Sequence, residues 1–316
     1  MYCSSVAHAR AKRVYRRYER SPVAVLEAAV GVDERRAARP PSDQSAFMMH
    51  RAGVYSAKGV LRMADVPKPT RGKGQVLIKV AVAGLNPTDW KHLAMGAAKY
   101  YGIGNVKEES PVCVGCEGVG TVVEADEGGS FATGDVVWFL VDKMAQPSLA
   151  GSCAEFVCVA TTGCARVPTG IGTEAAAATP LAALTAYQSL KDAGYSTAGV
   201  AKGKRILVHA GAGGVGHFAI QLARIYGFDE IATTCSAENA EFVRSLGATV
   251  VCDYKTEDFV ARFKAAPFDV VLDPVGGDPV GPLGASLSGL AQYAPRSRKV
   301  LKRSGVLVGI LTGSSE

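Results

Sequence analysis

Between residues 48 and 166, apolar and polar positions alternate over short stretches that are separated by turn residues. This alternation is typical of β-strands that bury one face and leave the other in water. Many such strands in succession predict a barrel-like β domain. A first strand is expected to begin at Met48 or Met49, and the clearest later strands are 75–82, 118–123, 136–141 and 155–159.

The pattern changes at residue 173, where an alanine-rich helical stretch begins that runs to residue 193 and is interrupted at Pro180. This stretch is the predicted domain junction. From Lys204 onward strands and helices alternate, which predicts a parallel sheet with helices on both faces. The expected strands are 205–210, 230–234, 248–252, 269–272 and 305–310, and the expected helices are 215–226 and 238–246.

Composition and charge exclude several classes of protein. The 316 residues are 48% hydrophobic and 20% charged, which is ordinary for a globular chain. No run approaches the roughly eighteen apolar residues of a membrane span. The net charge is +6, but residues 1–47 hold nine basic and five acidic residues, so only +2 remains elsewhere and no nucleic-acid partner is expected. The eight irregularly spaced cysteines predict reduced thiols rather than a disulfide framework.

The first 47 residues are not expected to belong to the fold. Up to Arg20 the chain is rich in arginine and contains one acid, Glu19, a composition typical of an organelle transit peptide. Residues 21–47 add more acids and a linker-like run from Arg39 to Asp43. A true start of the chain at Met48 or Met49 is the competing explanation. We therefore expect a disordered or cleaved leader, and either a cytoplasmic or an organellar (mitochondrial or plastid) location.

A glycine turn joins the first strand of the alternating half to its helix. Gly211 permits the tight turn, Gly213 lets the backbone approach a phosphate, and Gly216 lets the helix pack closely on its strand. The start of the helix, with Gly214 and Val215, offers unpaired N–H groups and a positive dipole end to an anion. Strand, turn and helix in this order predict a site for a dinucleotide pyrophosphate.

The residues after the second strand of this half indicate which dinucleotide is expected. An NAD site normally places an acidic residue there, about twenty residues past the glycines, to bond the ribose 2′-hydroxyl. This chain has Thr233, Thr234, Cys235 and Ser236 instead. Without a carboxylate to repel a 2′-phosphate, and with Ser236 able to donate a hydrogen bond to it, NADPH is favoured over NADH.

Several short motifs stand out along the chain. They are Asn-Pro-Thr-Asp-Trp-Lys at 86–91, Gly-Cys-Glu-Gly-Val-Gly at 115–120, Gly-Asp-Val-Val at 134–137, Leu-Thr-Ala-Tyr at 184–187 and the glycine turn. Their order is the one seen in the medium-chain dehydrogenase/reductases, and the chain resembles in particular their zinc-independent, quinone-oxidoreductase-like branch, which includes alkenal reductases and trans-acting enoyl reductases. The resemblance implies an α/β fold in which a GroES-like β-barrel catalytic domain, 48–180, precedes a Rossmann-type doubly wound parallel sheet, 181–316.

The same resemblance implies catalytic residues. Asn86, Lys91, Tyr100 and Tyr101 lie in the loop that lines the nicotinamide pocket of the family, and all of them donate hydrogen bonds. Lys91 is the first candidate for proton donor or oxyanion partner, and either tyrosine is an alternative acid. A solvent-exposed lysine and a loop-capping tyrosine pair are the competing interpretations. Thr185 resembles a threonine that contacts the nicotinamide side of the pocket, unless it bonds its own helix backbone.

The resemblance also bears on cofactor choice. Ser236 and Tyr254 match residues that commonly contact the 2′-phosphate of NADPH, although Tyr254 is equally well explained as an aromatic packed on the strand end. Relatives often carry a lysine where this chain has Asn239. Lys255 or Arg244 is then left to supply the counter-charge.

Metal-dependent members of the wider family hold a catalytic zinc with three ligands, and the corresponding positions here are Asn86, Cys116 and Leu181. One ligand does not make a site, and Cys113-x-x-Cys116 lacks a second pair, so no metal is expected. Hydride transfer to an α,β-unsaturated carbonyl moves charge onto the carbonyl oxygen, where hydrogen-bond donors stabilise it without a Lewis acid. The expected activity is therefore NADPH-dependent reduction of a small-molecule enone or quinone. The alternatives are a non-catalytic NADPH-binding protein of the same fold and a zinc-dependent alcohol dehydrogenase.

Family members continue beyond the fifth strand of the Rossmann-type sheet, which is predicted here at 305–310. By comparison, this chain is expected to lack the last sheet strand, which often pairs across a homodimer, and a segment that returns to the catalytic domain. The resemblance thus allows a homodimer. No element is assigned to 278–298.

Overall fold

The computed structural model describes residues 49–55, 61–89, 112–141, 151–275 and 293–310. They form two compact units, and the division lies between Leu181 and Ala182. Antiparallel strands build the first unit, whereas a parallel sheet with helices builds the second. The α/β fold expected from the change in sequence pattern is thereby confirmed.

The first unit consists mainly of β-strands and ends in a short helix. Its described strands pair into a three-stranded sheet, β2-β1-β4, and a five-stranded sheet, β7-β3-β5-β6-β8, when the strands are numbered along the chain. The elements are β1 (Met49–Tyr55), β2 (Leu61–Pro67), β3 (Gln75–Gly84), β4 (Val112–Cys113), β5 (Glu117–Glu124), β6 (Val136–Leu140), β7 (Phe156–Ala160), β8 (Cys164–Arg166) and α1 (Thr173–Ala177).

The main core of the first unit lies against one face of the five-stranded sheet. Because successive side chains of a strand point to opposite faces, Val76, Ile78 and Val80 of β3 share one face. They belong to one buried apolar cluster together with Phe139 of β6 and Val157 of β7. The alternating apolar positions of β3 therefore form the side of the sheet that faces this core.

Strands and helices alternate along the second unit. Among the described residues, no helix is both long enough and apolar enough to cross a membrane. The elements are α2 (Pro180–Asp192), which spans the division, β9 (Arg205–Val208), α3 (Gly214–Tyr226), β10 (Glu230–Cys235), α4 (Ala240–Leu246), β11 (Val250–Asp253), α5 (Phe259–Phe263), β12 (Phe268–Asp273), α6 (Tyr293–Ser297) and β13 (Leu301–Gly309).

The sheet of the second unit is parallel and has the strand order β11-β10-β9-β12-β13. The chain begins at the central β9, adds β10 and β11 on one side, and then adds β12 and β13 on the other. The winding direction reverses at β9. Ligands of open parallel sheets bind at the carboxyl ends of the strands beside such a reversal.

Buried side chains cover both faces of this sheet. Ile206 and Val208 of β9 pack on one face with Ile220 of α3, and Leu207 packs on the other with Phe259 of α5. A strand that is buried on both sides needs an unbroken apolar run, which explains the sequence of β9.

Short elements account for the main differences from the expected boundaries. The sequence pattern does not predict β2, β4, β8, α5 or α6, because periodicity needs more residues than most of these elements contain. The alanine-rich stretch is two helices, α1 and α2, and α2 begins at Pro180. The helix expected at 238–246 begins with a 3-10 turn, Ala237–Asn239, before α4.

The seven cysteines in the described part of the chain are free thiols, and all but Cys164 are buried. Burial raises the pKa of Cys158 to about 11 and the pKa of Cys252 to about 11. It raises the pKa of Cys164 to about 12. These three thiols are therefore protonated at neutral pH.

Candidate functional site

The glycine turn lies between β9 and α3, at the reversal point of the parallel sheet. Ala210 has a φ of 51° there, and no other non-glycine residue in the described ranges has a positive φ. Gly211, Gly213 and Gly216 have no such φ. The left-handed position of the turn is therefore Ala210 rather than Gly211, at a cost of roughly 1–2 kcal/mol for a residue with a Cβ.

Gly211 and Gly216 are required by packing inside the protein. A Cβ on Gly211 would overlap Oγ1 of Thr233 on the neighbouring strand, and a Cβ on Gly216 would overlap the carbonyl oxygen of Ala210. At Gly213 the nearest atom to such a Cβ is the same carbonyl oxygen, at 3.1 Å. A shift of a few tenths of an ångström would relieve that contact. Of the three glycines, Gly213 is therefore the one at which the protein itself leaves room for a side chain.

The first turn of α3 is open to an anion. Gly213 is the residue before the helix, and no side chain caps it. Gly214 is buried in this turn and Val215 is half-buried. The first N–H groups of a helix need acceptors from outside the helix, and a phosphate is a suitable one. A dinucleotide pyrophosphate fits this arrangement.

Ser236 and Tyr254 leave the sheet side by side. Each follows a member of a register pair, Cys235 of β10 and Asp253 of β11, at the carboxyl edge that also holds the glycine turn. Ser236 is buried, whereas the Tyr254 side chain is 43% exposed. The exposure argues against the interpretation of Tyr254 as a ring packed on the strand end.

A carboxylate lies beside Ser236, although the sequence analysis expects none there. Ser236 Oγ donates to Glu238 Oε1 at 3.0 Å and accepts from Asn239 Nδ2 at 2.9 Å. Lys255 Nζ lies 3.8 Å from the same Glu238 oxygen. Glu238 follows Ser236 by two residues, so the signal is present in the sequence, but it lies past the strand end at which an acid is normally sought. A 2′-phosphate at Ser236 would therefore meet a carboxylate, contrary to the expectation from the sequence.

A buried polar cluster lies in the first unit, where β3 ends and β5 begins. Asn86 Nδ2 donates to Glu117 Oε1 at 2.6 Å, and the N–H of Asn86 donates to Asp89 Oδ2 at 2.7 Å. The main-chain N–H of Leu181 donates to Glu117 Oε2 at 2.6 Å. The Cys116 thiol donates to Asp89 Oδ1 at 3.4 Å. The Glu117 carboxylate thus joins Asn86, which lies 31 residues before it, to Leu181, which lies 64 residues after it.

Glu117 is 1% exposed, and burial is the main cause that raises its pKa. The hydrogen bonds from Leu181 and Asn86 lower this pKa, and the carboxylate of Asp89 raises it. Both bonds come from N–H donors and are short, which is typical of bonds to an ionised carboxylate. We therefore describe Glu117 as a buried anion.

The place at which metal-dependent relatives hold zinc does not fit a zinc ion in this chain. Asn86 and Leu181 turn N–H donors toward Glu117, whereas a metal needs lone pairs. In the ranges that the structure describes, no group of three His, Cys, Asp or Glu residues could hold a metal ion. Of the three positions that correspond to zinc ligands, only Cys116 has a side chain of a type that binds zinc.

The other predicted residues are only partly placed. Thr185 is half-buried on α2. Lys91, Tyr100 and Tyr101 lie outside the described residues, so their roles stay predictions.

Known families match both halves of the chain. The family described as alcohol dehydrogenase GroES-like domain matches residues 72–184, and the family described as zinc-binding dehydrogenase matches residues 214–283. The chain is 34% identical over 232 residues to a chloroplast envelope quinone oxidoreductase homolog of Arabidopsis thaliana, covering 72% of this chain and 68% of that one. It is 37% identical over 213 residues to a trans-enoyl reductase of Aspergillus terreus, covering 65% of this chain and 56% of that one.

A solved structure supports the same assignment. A mycobacterial protein complexed with NADPH superposes with a TM-score of 0.60 at 31% identity, over 82% of this chain and 72% of that one. The chain thus spans about half to three quarters of the length of these proteins. The two family matches, the relatives and the two architectures agree with the motif order along the sequence. The chain belongs to the medium-chain dehydrogenase/reductases, in the group that includes quinone oxidoreductases and enoyl reductases.

Proposed function

We propose that this protein reduces an activated alkene of the enone type, or a quinone, with NADPH and without zinc. Residues 48–180 would form the catalytic domain, and residues 181–316 would bind the dinucleotide. The observation that carries the proposal is the bond between Asn86 and Glu117 at the position of the zinc ligands in metal-dependent relatives. It leaves hydrogen-bond donors, rather than a Lewis acid, to stabilise charge on the substrate.

The reduced nicotinamide, when bound, supplies a hydride to the β-carbon of the enone, and a proton on the α-carbon completes the saturated product. The bond to Glu117 uses one of the two amide hydrogens of Asn86. The second amide hydrogen is the proposed donor to the substrate oxygen on which charge develops. Lys91 is the first candidate to deliver the proton or to bind that oxygen, with Tyr100 and Tyr101 as alternatives.

NADPH is the proposed cofactor because Ser236, Tyr254 and Lys255 meet at the carboxyl edge of β10 and β11, beside the glycine turn. Their hydroxyl groups and ammonium group suit a 2′-phosphate. The NADPH complex of the mycobacterial relative supports this choice. Glu238 opposes it, so the preference over NADH is expected to be moderate.

An organellar location is also part of the proposal. The relative from Arabidopsis thaliana is described as a chloroplast envelope protein, and the basic composition of residues 1–20 agrees with a transit peptide. A homodimer remains part of the expectation from the resemblance.

The test is turnover by the purified full-length chain. We expect tight NADPH binding by calorimetry, weaker NADH binding, and NADPH oxidation that depends on an enone or quinone. The variant Lys91→Ala, and separately the pair Tyr100→Phe with Tyr101→Phe, identify the proton donor by a loss of kcat of about 100-fold or more.

Three outcomes separate the alternatives. NADPH binding without turnover on any enone or quinone indicates a non-catalytic nucleotide-binding protein. One zinc per chain, with activity that a chelator abolishes, indicates a zinc-dependent alcohol dehydrogenase. If all of these variants retain full turnover, the proposed hydride transfer stands, but Lys91, Tyr100 and Tyr101 are not the proton donors.

A further inference from the structure

The Glu117 carboxylate occupies a space that the fold keeps open for it. Glu117 begins β5 and pairs in register with Gly84, the last residue of β3. A Cβ on Gly84 would lie 2.6 Å from Glu117 Oε1 and 2.6 Å from the carbonyl oxygen of Ala177. Glycine at this position therefore lets the carboxylate pass between the end of β3 and the helix α1.

The two oxygens of this carboxylate bond to two different elements. Oε1 accepts from Asn86, just after β3, and Oε2 accepts from the N–H of Leu181 in the first turn of α2. The first turn of α2 contains no acidic residue of its own. Glu117 supplies the negative charge that stabilises the positive end of this helix.

We propose that Glu117 is a positioning residue for the proposed reaction: its carboxylate fixes the amide of Asn86 and the start of α2 in one arrangement. This inference rests on the proposed function. Asn86 must point a donor at the substrate oxygen, and the bond to Oε1 sets which way its amide faces. A shift of about 1 Å in such a donor can reduce a rate by about 100-fold.

Stability alone does not explain a charge at this position. Ionised groups are costly to bury, and apolar residues of similar volume often replace them without loss of stability. Here the charge is retained next to a second buried carboxylate, Asp89, which makes ionisation of Glu117 less favourable still. The explanation that fits is geometric: a carboxylate can accept one hydrogen bond at each of its two oxygens at the same time.

The variant Glu117→Gln tests this requirement, because glutamine has the same shape but accepts on one side only. If its NH₂ group faces Leu181, one bond is lost; if it faces Asn86, either that bond is lost or the Asn86 amide turns over to accept through Oδ1, which moves the Asn86 donor. We expect kcat with an enone to fall by about 10–100-fold. We expect the dissociation constant of NADPH, measured by calorimetry, to change by less than about threefold, since the glycine turn and the ends of β10 and β11 are untouched.

Glu155→Gln is the matched control. Glu155 also lies in the first unit, is half-buried, and accepts from a main-chain N–H, that of Arg51, at 3.0 Å. The same chemical change there should leave kcat within about twofold. An equal loss of kcat in both variants would contradict the proposal, because any buried carboxylate would then serve.

The double variant Asn86→Asp with Glu117→Gln separates positioning from folding. The introduced glutamine then donates to the introduced carboxylate while its oxygen still accepts from Leu181, so both bonds return with the donor and acceptor of the first bond exchanged. We expect the melting temperature to recover and kcat to stay low, because residue 86 no longer offers a donor to the substrate. Recovery of kcat together with the melting temperature would mean that Glu117 has a structural role only.

Wild-type turnover keeps this test distinct from the test of the function. If the wild-type chain reduces neither enones nor quinones, the proposed function and this inference fail together. If the wild-type chain turns over and Glu117→Gln retains full kcat, the inference alone is overturned. Should Glu117→Gln not fold, recovery of both the melting temperature and kcat in the double variant would still overturn the inference.

Discussion

His209, the residue that precedes the glycine turn, is a neutral buried histidine. Its Nδ1 lies 3.2 Å from Thr234 Oγ1, and its Nε2 lies 3.0 Å from Ser297 Oγ. The ring is edge-on to Phe259 and Tyr293, with centroids 4.7 and 4.8 Å away. Burial lowers the pKa of His209 to about 3. The side chain thus connects the sheet to α5 and α6 without carrying a charge.

This burial predicts a dependence of stability on pH. Between pH 6.5 and about pH 3 the unfolded chain binds a proton at His209 that the folded chain does not bind, so the free energy of unfolding falls on acidification. The contribution approaches about 1.4 kcal/mol per pH unit. In denaturant titrations from pH 7 to pH 4, His209→Gln should flatten this dependence. His217→Gln, at a half-buried histidine whose pKa burial also lowers, should flatten the dependence less, and parallel curves for His209→Gln and the wild type would refute the prediction.

Glu238 predicts how cofactor preference can be changed at a single residue. Its carboxylate bonds to the Ser236 hydroxyl and pairs with Lys255, two groups that a 2′-phosphate would use. Removing its charge at this exposed position should tighten NADPH binding by about 3–10-fold and should not tighten NADH binding. Calorimetry on Glu238→Gln measures both constants. Glu241→Gln, an exposed acid on α4, is the control, and equal gains for the two cofactors would contradict the prediction.

Residue type and spacing in the sequence predict part of the candidate site. The glycine turn and Ser236 are visible because each lies next to a strand end that the pattern already predicts. Glu117 is not visible as a centre, because its partners Asn86 and Leu181 are 31 and 64 residues away and meet only in the folded unit. Glu238 is missed for a different reason, since a short 3-10 turn brings it back to Ser236.

Among the elements, the turn between β9 and α3 predicts different effects for its glycines. Gly216→Ala should lower the free energy of unfolding by about 1–3 kcal/mol, because its Cβ meets backbone atoms that cannot move. Gly213→Ala should change stability by less than about 1 kcal/mol, since its nearest contact is at 3.1 Å. It should nevertheless weaken NADPH binding by at least about tenfold, because a methyl group there meets the phosphates.

Chemical denaturation and calorimetry on the two glycine variants check this division. Loss of stability in Gly213→Ala, or unchanged NADPH affinity in it, would mean that the turn has no separate ligand-facing position.

The long elements of the fold can be predicted from the sequence. The helix α3 follows from thirteen residues of regular apolar spacing, whereas α5 has five residues and no detectable period.

At the scale of the whole molecule, two architectures are arranged in series along the chain, and the hydrophobic pattern alone separates them. The first unit alternates because every second residue of β3 faces its main core, and the second does not because β9 and β12 are buried on both faces. The sequence therefore predicts both fold classes. It does not predict the three-stranded sheet, because the pairing of β1 with β2 and β4 depends on contacts between distant parts of the chain.

The thiols described above have a further consequence if the substrates are enones or quinones. Such compounds are electrophiles that alkylate exposed thiolates. Cys158, Cys164 and Cys252, with pKa values of about 11 to 12, carry almost no thiolate at neutral pH. The described cysteines are mostly enclosed as well. If the proposed function holds, these three thiols therefore resist alkylation by the substrates of the protein.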